Sequence, residues 1–353
     1  MNKILSIIVP TYNMDRYLRR CLDSLIVSDE NMQRIEVLVI NDGSRDSSSQ
    51  IAHEYETKFP QTFRVIDKEN GNYGSCINRG LKEMSGKYVK VLDSDDYFDN
   101  SNLSLLLPKL SVSNSDMILT DMNCIYQGRQ IVSHSYPYKK NIVLDSNILN
   151  DKFFKDRINM HSITYKSEIF NSLNYKQTEG ISYTDQEWIY YPMVEVNTIE
   201  YFPFQIYQYV LDREGQTMNL DVEINRVDHK IIIMKRMIDY LKLTTFDNQS
   251  KENYIKTRTE KLLRLIYKFV LLYQSNEQYL SHKAELEELD KIIEENLIWL
   301  YEDSYGFLIA SELPLRFVRY WRVKGKRYPF IVLKLHKLMK SFDVYLRKSD
   351  LRK

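Results

Sequence analysis

The acidic run Asp93-Ser94-Asp95-Asp96 is the most chemically loaded stretch of the sequence. It directly follows a mostly apolar run at 89–92, which predicts a buried strand that ends at these carboxylates. Two carboxylates one residue apart at a strand end can share the ribose and metal contacts of a bound nucleotide, since hard divalent cations take oxygen ligands. The alternative is a solvated acidic turn that caps the next helix, near Ser101.

Polar residues also follow three other predicted strands, at 11–13, 42–44 and 70–74. Ligands of open α/β sheets bind beyond the carboxyl ends of the strands, so these exits should converge on one crevice. Asp42 could accept the imide N–H of a uracil there, although an ordinary Asx turn before Gly43 is the alternative. The nucleotide-binding candidates are therefore Pro10, Thr11, Tyr12, Asp42, Asn72, Gly74, Asp93 and Ser94.

The order of predicted elements indicates an α/β fold with a mostly parallel, Rossmann-like central sheet. Helical patterns separate β-rich runs at 4–9, 35–40, 63–66, 88–92 and from 117. The glycines at 71–86 do not form G-x-G-x-x-G, which argues against a nicotinamide or flavin enzyme. Residues 126–217 are irregular and tyrosine-rich. From 218 to 353, glycine and proline are rare and apolar residues recur three and four apart, which predicts a helical C-terminal region.

The charge of the chain is nearly balanced, with 49 Lys and Arg against 48 Asp and Glu in 353 residues, which argues against a nucleic-acid partner. Residues 314–353 are the exception, because they contain thirteen Lys or Arg and two Asp. Apolar residues at helical spacing there predict a basic amphipathic tail that contacts an anionic membrane surface. A packed helix with a solvated face is the alternative.

Three cysteines, an odd number, give no disulfide framework and indicate a reducing compartment, so a cytoplasmic location is expected, including the inner face of the membrane. Nowhere do eighteen uncharged apolar residues occur together, so the sequence predicts no membrane span. The apolar run at 4–9 is short and lacks a small-residue cleavage site, which favours a buried strand over a signal peptide.

Four ordered motifs carry a family resemblance. They are Ile-Ile-Val-Pro-Thr-Tyr-Asn at 7–13, Val-Ile-Asn-Asp-Gly-Ser at 39–44, asparagines and glycines spread over 70–80, and Gly-Lys-Tyr-Val-Lys-Val-Leu-Asp-Ser-Asp-Asp at 86–96. Together they resemble a family 2 glycosyltransferase of GT-A fold. The resemblance implies a catalytic domain over 1–217, with a donor half at 1–125 and an acceptor half at 126–217.

The resemblance implies a metal-dependent, inverting transfer of a sugar from a UDP-sugar to an acceptor hydroxyl, with Mn²⁺ or Mg²⁺ as cofactor. The acceptor would be a glycan, a glycoprotein or a lipid-linked saccharide. Asp42 would bind the base, Asp93 the ribose or metal, and Asp95 the metal and diphosphate, with Asp96 as an accessory carboxylate.

An inverting transfer also requires a general base, since an acceptor alcohol is a poor nucleophile until its proton is removed. The family places this base in an acidic doublet downstream of the metal motif, which corresponds here to residues 183–188. Asp185 is the predicted base. Glu187 is the alternative, because Thr184 stands where the family has glutamate before the aspartate. Thr184 and Glu187 also have the spacing of a helix capping box.

Two further assignments follow from the resemblance. His161 would complete the metal site, with a structural hydrogen bond as the alternative. Arg213 and Gln216 belong to a basic turn that would close over the diphosphate, or else to an ordinary surface turn.

The sequence argues against two functions other than glycosyl transfer. A sugar nucleotidyltransferase normally needs a glycine-rich, arginine-containing loop after the first strand, and residues 10–13 do not form one. A catalytically silent scaffold subunit of a glycosylation complex is the second, and the intact acidic set argues against it. The sequence is compatible with a homo-oligomer.

Overall fold

The computed structural model describes residues 3–211, 220–310, 314–329 and 332. The chain divides into two compact units. Unit 1 comprises Met1–Glu214 and Phe246–Tyr254, and unit 2 comprises Gly215–Thr245 and Ile255–Lys353.

Unit 1 is built on a ten-stranded sheet. The strands in chain order are β1 (Leu5–Thr11), β2 (Ile35–Asn41), β3 (Phe63–Asp67), β4 (Tyr88–Val91), β5 (Tyr97–Phe98), β6 (Met117–Tyr126), β7 (Arg129–His134), β8 (Ile142–Asp145), β9 (Ile163–Lys166) and β10 (Thr198–Val210).

The sheet runs β3-β2-β1-β4-β9-β6-β10-β5, with β7 paired to β6 and β8 paired to β10. Strands β3, β2, β1 and β4 are mutually parallel, and β6 and β10 are parallel to each other. Between these two groups, β9 pairs antiparallel with both β4 and β6. The predicted mostly parallel α/β fold is confirmed, and β9 brings the acceptor half into the donor sheet.

Helices flank the sheet of unit 1. They are α1 (Asp15–Asp23), α2 (Asp29–Arg34), α3 (Ser48–Lys58), α4 (Asn72–Glu83), α5 (Asn100–Val112), α6 (Lys152–Arg157), α7 (Glu168–Ser172) and α8 (Asp185–Trp188), with short 3-10 turns at Ser146–Asn150, Met160–Ser162 and Tyr191–Val194. Every residue of β1 is buried, as expected for a parallel strand covered on both faces. This explains why β1 is apolar along most of its length rather than alternating.

Unit 2 is helical. Its helices are α9 (Leu220–Asn225), α10 (Val227–Leu243), the larger part of α11 (Gln249–Lys268), α12 (Asn276–Asn296), α13 (Ile298–Ser304) and α14 (Phe317–Lys324), with a π-helical turn at Phe269–Tyr273. Ser275 and Gln278 form a capping box at the start of α12. Arg322 of α14 pairs with Asp290 at 2.6 Å and stacks over the ring of Tyr301.

The predicted basic tail begins in α14. Phe317, Val318 and Trp321 are buried within unit 2, so these apolar side chains pack in the protein and are not available as membrane anchors. Residues 330, 331 and 333–353 lie outside the described residues. Across the part of the chain that is described, no helix is both long enough and apolar enough to cross a bilayer. The three cysteines are free and buried.

Candidate active site

Hydrogen bonds join three of the predicted strand exits. The Ser94 hydroxyl donates to the carbonyl oxygen of Pro10 at 2.8 Å, which ties the exit of β4 to that of β1. The backbone N–H of Asp42 donates to the carbonyl oxygen of Thr11, also at 2.8 Å, which ties β2 to β1. The structure therefore brings together the residues that the sequence placed around one crevice.

Asp93 is held from two sides. The Tyr73 hydroxyl donates to Asp93 Oδ1 at 2.9 Å, and the backbone N–H of Asp93 donates to the Tyr207 hydroxyl oxygen at 3.2 Å. The Asp93 side chain is 24% exposed, and its Oδ2 lies 3.9 Å from Nε2 of His161. The carboxylate is thus fixed in place and still open to a ligand.

Asp96 is the most buried carboxylate of the acidic turn (residues 93–96), at 1% exposure. Its Oδ2 accepts a hydrogen bond from the Tyr207 hydroxyl, and its Oδ1 accepts one from the backbone N–H of Val210, both at 2.7 Å. Burial raises the pKa of Asp96 well above its usual range, and the charges of Asp95 and Asp93 raise it further.

Asp93, Asp96 and His161 form a candidate metal site, because one ligand atom from each lies within 4.8 Å of the others. The sequence assigned Asp93, Asp95 and His161 to the metal and gave Asp96 an accessory place. The structure groups Asp96 rather than Asp95 with the other two ligands. The backbone oxygen of Asp95 accepts a hydrogen bond from Arg20 at 2.7 Å.

The chemistry of this cluster fits a divalent cation. Two carboxylates and one imidazole are suitable ligands for Mn²⁺, and carboxylates for Mg²⁺. Burial, with a contribution from Lys90, lowers the pKa of His161 to about 3, so the imidazole is neutral and able to coordinate. Nearby carboxylates raise the pKa of Asp96, and a bound cation would offset that repulsion.

Lys90 supports His161 from within the sheet. It is fully buried in β4, and its Nζ donates to the carbonyl oxygens of His161 at 2.7 Å and Ile163 at 3.0 Å. Burial lowers the pKa of Lys90 to about 7. Lys90 was not among the predicted site residues, although a lysine within the otherwise apolar run at 88–92 is a visible signal.

Asp42 organises the turn at 70–74, here called the donor turn. Its carboxylate is buried, and Oδ1 accepts hydrogen bonds from Lys68 Nζ at 2.5 Å and from the backbone N–H of Gly71 at 2.9 Å. Lys68 was not among the predicted site residues.

Asn72 and Tyr12 are two further predicted nucleotide-binding residues. Asn72 stands at the start of α4 and has a positive φ of 64°. The side chain of Tyr12 is 42% exposed.

Gly74 is placed by a contact with the protein itself. A Cβ added there would lie 1.9 Å from the carbonyl oxygen of Thr178. Gly74 is one of the predicted nucleotide-binding residues, and the structure places a backbone neighbour, the carbonyl of Thr178, against it.

Asp185 is the first residue of α8 and is partly exposed. Its charge acts on Tyr73, whose pKa is raised well above the usual range by burial, then by Asp93, and also by Asp185. The Tyr73 hydroxyl therefore lies within electrostatic range of both carboxylates.

Glu187 is fully buried, and its two carboxylate oxygens accept hydrogen bonds from the backbone N–H and the hydroxyl of Thr178, at 2.6 and 2.7 Å. Because both carboxylate oxygens of Glu187 already accept hydrogen bonds, Asp185 is favoured over Glu187 as the base. The capping-box interpretation of this segment is wrong, because the Thr184 side chain makes no cap hydrogen bond and accepts one from Gln177 instead. Arg213 and Gln216 lie outside the described residues.

Comparisons with known proteins define the class. Residues 6–173 match the family model described as Glycosyl transferase family 2. The resemblance found in the sequence is confirmed over these residues, which form slightly less than half of the chain. Glycosyltransferase GlyA of Streptococcus pneumoniae is 30% identical over 181 residues, which are 48% of this chain and 25% of GlyA.

Uncharacterized glycosyltransferase MG025 of Mycoplasma genitalium is 40% identical over 97 residues, 27% of this chain and 32% of that protein. The chain thus spans a quarter to a third of the length of these curated relatives. Among solved structures, TarS 1–349 of S. aureus in complex with UDP-GlcNAc has a TM-score of 0.65 at 19% identity, covering 92% of this chain and 93% of that one. This similarity confirms the GT-A fold.

Proposed function

We propose that this protein is a metal-dependent, inverting glycosyltransferase that moves a sugar from a UDP-sugar to an acceptor hydroxyl. The observation that carries the proposal is the position of Tyr73, which is hydrogen-bonded to Asp93 and lies within the electrostatic range of Asp185. This position supports the proposal that a metal ligand, Asp93, and a general base, Asp185, serve one site. Neither a silent scaffold nor a nucleotidyltransferase requires a base at that position.

UDP-GlcNAc is the first donor to test. TarS of S. aureus was crystallised with UDP-GlcNAc, and its curated name is poly(ribitol-phosphate) beta-N-acetylglucosaminyltransferase. That protein is 27% identical to this chain over 218 residues. We accordingly propose a glycan or related polymer as the acceptor, with glycoprotein and lipid-linked saccharides as the other members of the class.

In the proposed complex, Asp42 and the backbone at Pro10 and Thr11 bind the uracil. Asp93, Asp96 and His161 would hold the Mn²⁺ or Mg²⁺, and Asp95, between the two aspartates in the chain, remains a predicted contact of the metal and the diphosphate. The cation, when bound, neutralises the diphosphate of the departing UDP. Arg213 and Gln216 remain predicted diphosphate contacts.

Asp185 is the proposed catalytic base. Its carboxylate takes the acceptor hydroxyl proton while the acceptor oxygen attacks the anomeric carbon from the face opposite UDP, which inverts that centre. Gln186 Nε2 donates to Asp185 Oδ2 at 3.0 Å and helps to orient it.

The test compares Asp185→Asn with Asp151→Asn. Asp151 also stands at a helix start, where it caps α6, and asparagine is an equally good cap. We expect Asp185→Asn to slow UDP release from UDP-GlcNAc and Mn²⁺ by about 10²- to 10⁴-fold, with UDP affinity unchanged in calorimetry. Asp151→Asn should retain the wild-type rate.

A wild-type rate in Asp185→Asn would refute the base assignment. A wild-type protein that binds no UDP with Mn²⁺ and releases none from a panel of UDP-sugars would refute the function. Peripheral attachment to the inner face of a membrane remains a prediction, and it rests on the basic tail beyond residue 329.

A further inference from the structure

The side chain of Asn78, on α4, attaches the segment that carries Asp185 to that helix. Asn78 donates from Nδ2 to the carbonyl oxygen of Gln177 at 2.9 Å and accepts at Oδ1 from the backbone N–H of Gln177 at 2.8 Å. The same Nδ2 reaches Glu179 Oε1 at 2.8 Å. An asparagine that pairs with both backbone groups of one residue fixes the position and the orientation of that residue.

Gln177 in turn holds Thr184, the residue next to the proposed base, in position. Its side chain is fully buried, and Nε2 donates to both the carbonyl oxygen and the hydroxyl oxygen of Thr184, each at 2.9 Å. The Tyr175 hydroxyl donates to Gln177 Oε1 at 2.9 Å, so both ends of the amide are engaged. Thr184 directly precedes Asp185.

A second connection holds the segment in place on the C-terminal side of Asp185. The buried carboxylate of Glu187 binds the backbone N–H and the hydroxyl of Thr178. Residues 177 and 178 therefore hold residues 184 and 187, and Asp185 lies between these two attachments. We call residues 177–187 the base segment.

The base segment also contacts the donor turn. The backbone N–H of Gly180 donates to the carbonyl oxygen of Gly71 at 2.9 Å, and the Gly71 N–H donates to Asp42 Oδ1. Gly74 packs directly under the carbonyl of Thr178. The segment that bears the proposed base and the turn that bears the proposed uracil contacts thus share one hydrogen-bonded frame.

Such a frame is needed because α8 has only four residues, too few to be stable as an isolated helix. A general base acts over hydrogen-bond distances, and a displacement of about 1 Å can cost about 10²-fold in rate. We infer that Asn78 and Gln177, with Glu187, are positioning residues that place Asp185 against the bound donor. This inference rests on the proposed function.

The test is a double-mutant cycle between Asn78→Ala and Asp185→Glu, which keeps a carboxylate at 185 but moves it. UDP release from UDP-GlcNAc with Mn²⁺ is measured together with the Kd for UDP. We expect Asn78→Ala to lower kcat by about 10- to 100-fold in the wild-type background while KM and the Kd for UDP stay the same. In the Asp185→Glu background the same change should cost about threefold or less, because the base is already displaced.

Asn102→Ala is the matched control, since Asn102 lies on α5 and donates from Nδ2 to a backbone carbonyl, that of Gln205, away from the base segment. It should leave kcat unchanged. If Asn78→Ala does not fold, Glu187→Gln takes its place in the cycle, and its loss should be smaller than that of Glu187→Ala because one oxygen acceptor remains.

An unchanged kcat in Asn78→Ala, or an equal loss in both backgrounds, overturns the positioning role. Failure of the proposed function is seen separately and earlier, in a wild-type protein that releases no UDP or an Asp185→Asn variant with the wild-type rate.

Discussion

The hydroxyl of Tyr73 donates a hydrogen bond to Oδ1 of Asp93 across 2.9 Å. Tyr73 lies in the first turn of α4, and Asp93 follows β4, so this bond joins the donor turn to the acidic turn. Burial and the two nearby carboxylates raise the pKa of Tyr73 well above its usual range, which keeps the phenol protonated and able to donate.

Tyr73→Phe should weaken Mn²⁺-dependent UDP binding, because Asp93 would lose the donor that orients it. A hydrogen bond to a charged group contributes about 1.5–3 kcal/mol, so we expect the Kd for UDP with Mn²⁺ to rise by about tenfold or more. Calorimetry measures this directly. Tyr55→Phe is the control, because Tyr55 donates to Asp23 at 2.6 Å away from the acidic turn; an equal loss there would contradict the prediction.

Mn²⁺ should stabilise the protein against thermal unfolding through the cluster of Asp93, Asp96 and His161. A ligand at about 100 times its Kd adds about 2.7 kcal/mol to the free energy of unfolding. We expect the rise in Tm to disappear in Asp93→Asn and His161→Gln and on addition of a chelator. His229→Gln, in unit 2, should keep it. A full Mn²⁺ response in Asp93→Asn would show that the ion binds elsewhere.

Gly74→Ala should impair both stability and transfer, since the added methyl group would meet the Thr178 carbonyl at 1.9 Å. Overpacking of this kind costs about 1–3 kcal/mol, and the base segment is what must move to relieve it. Chemical denaturation and UDP release measure the two effects. At Gly306 the added methyl would lie 3.2 Å from the carbonyl oxygen of Asp303, so Gly306→Ala should be far milder. Similar losses in both variants would count against the packing argument.

His53 should make stability depend on pH. Its ring contacts Asp67 at 2.8 Å and Glu56 at 2.7 Å, and hydrogen bonds to Asp67 and then Glu56 raise its pKa above 6.5. The folded state therefore binds the proton more tightly, and this stabilisation is complete below about pH 6.5 and is lost as pH rises through the raised pKa. His53→Gln should lower Tm at about pH 6 and leave it unchanged at about pH 9. A drop of equal size at both values would show that protonation is not the cause.

The sequence predicted best where local pattern decides the structure. Mostly apolar runs that end in polar residues predicted β1, β2 and β4, since strands covered on both faces have this composition. β10 (Thr198–Val210) lies within the region of irregular pattern at 126–217. Pro203 indicates a strand end, but bulges between Phe202, Gln205 and Tyr207 let the strand continue past it.

The parts of the site that the sequence could not predict depend on distant partners. Lys90 has the composition of a surface residue, and its role depends on carbonyls at positions 161 and 163. Tyr207 is one of 27 tyrosines, and no local signal separates it from those that only pack. Glu187 has the spacing of a capping-box residue relative to Thr184, but its carboxylate accepts hydrogen bonds from Thr178 instead.

Tyr207 and Val210 hold both oxygens of Asp96, although more than a hundred residues of chain separate them from it. During translation, the acidic turn leaves the ribosome long before the strand that anchors it. The hydrogen bonds that hold Asp96 can therefore form only after β10 has been synthesised and has joined the sheet. The proposed cation site is for the same reason complete only late in the synthesis of the chain.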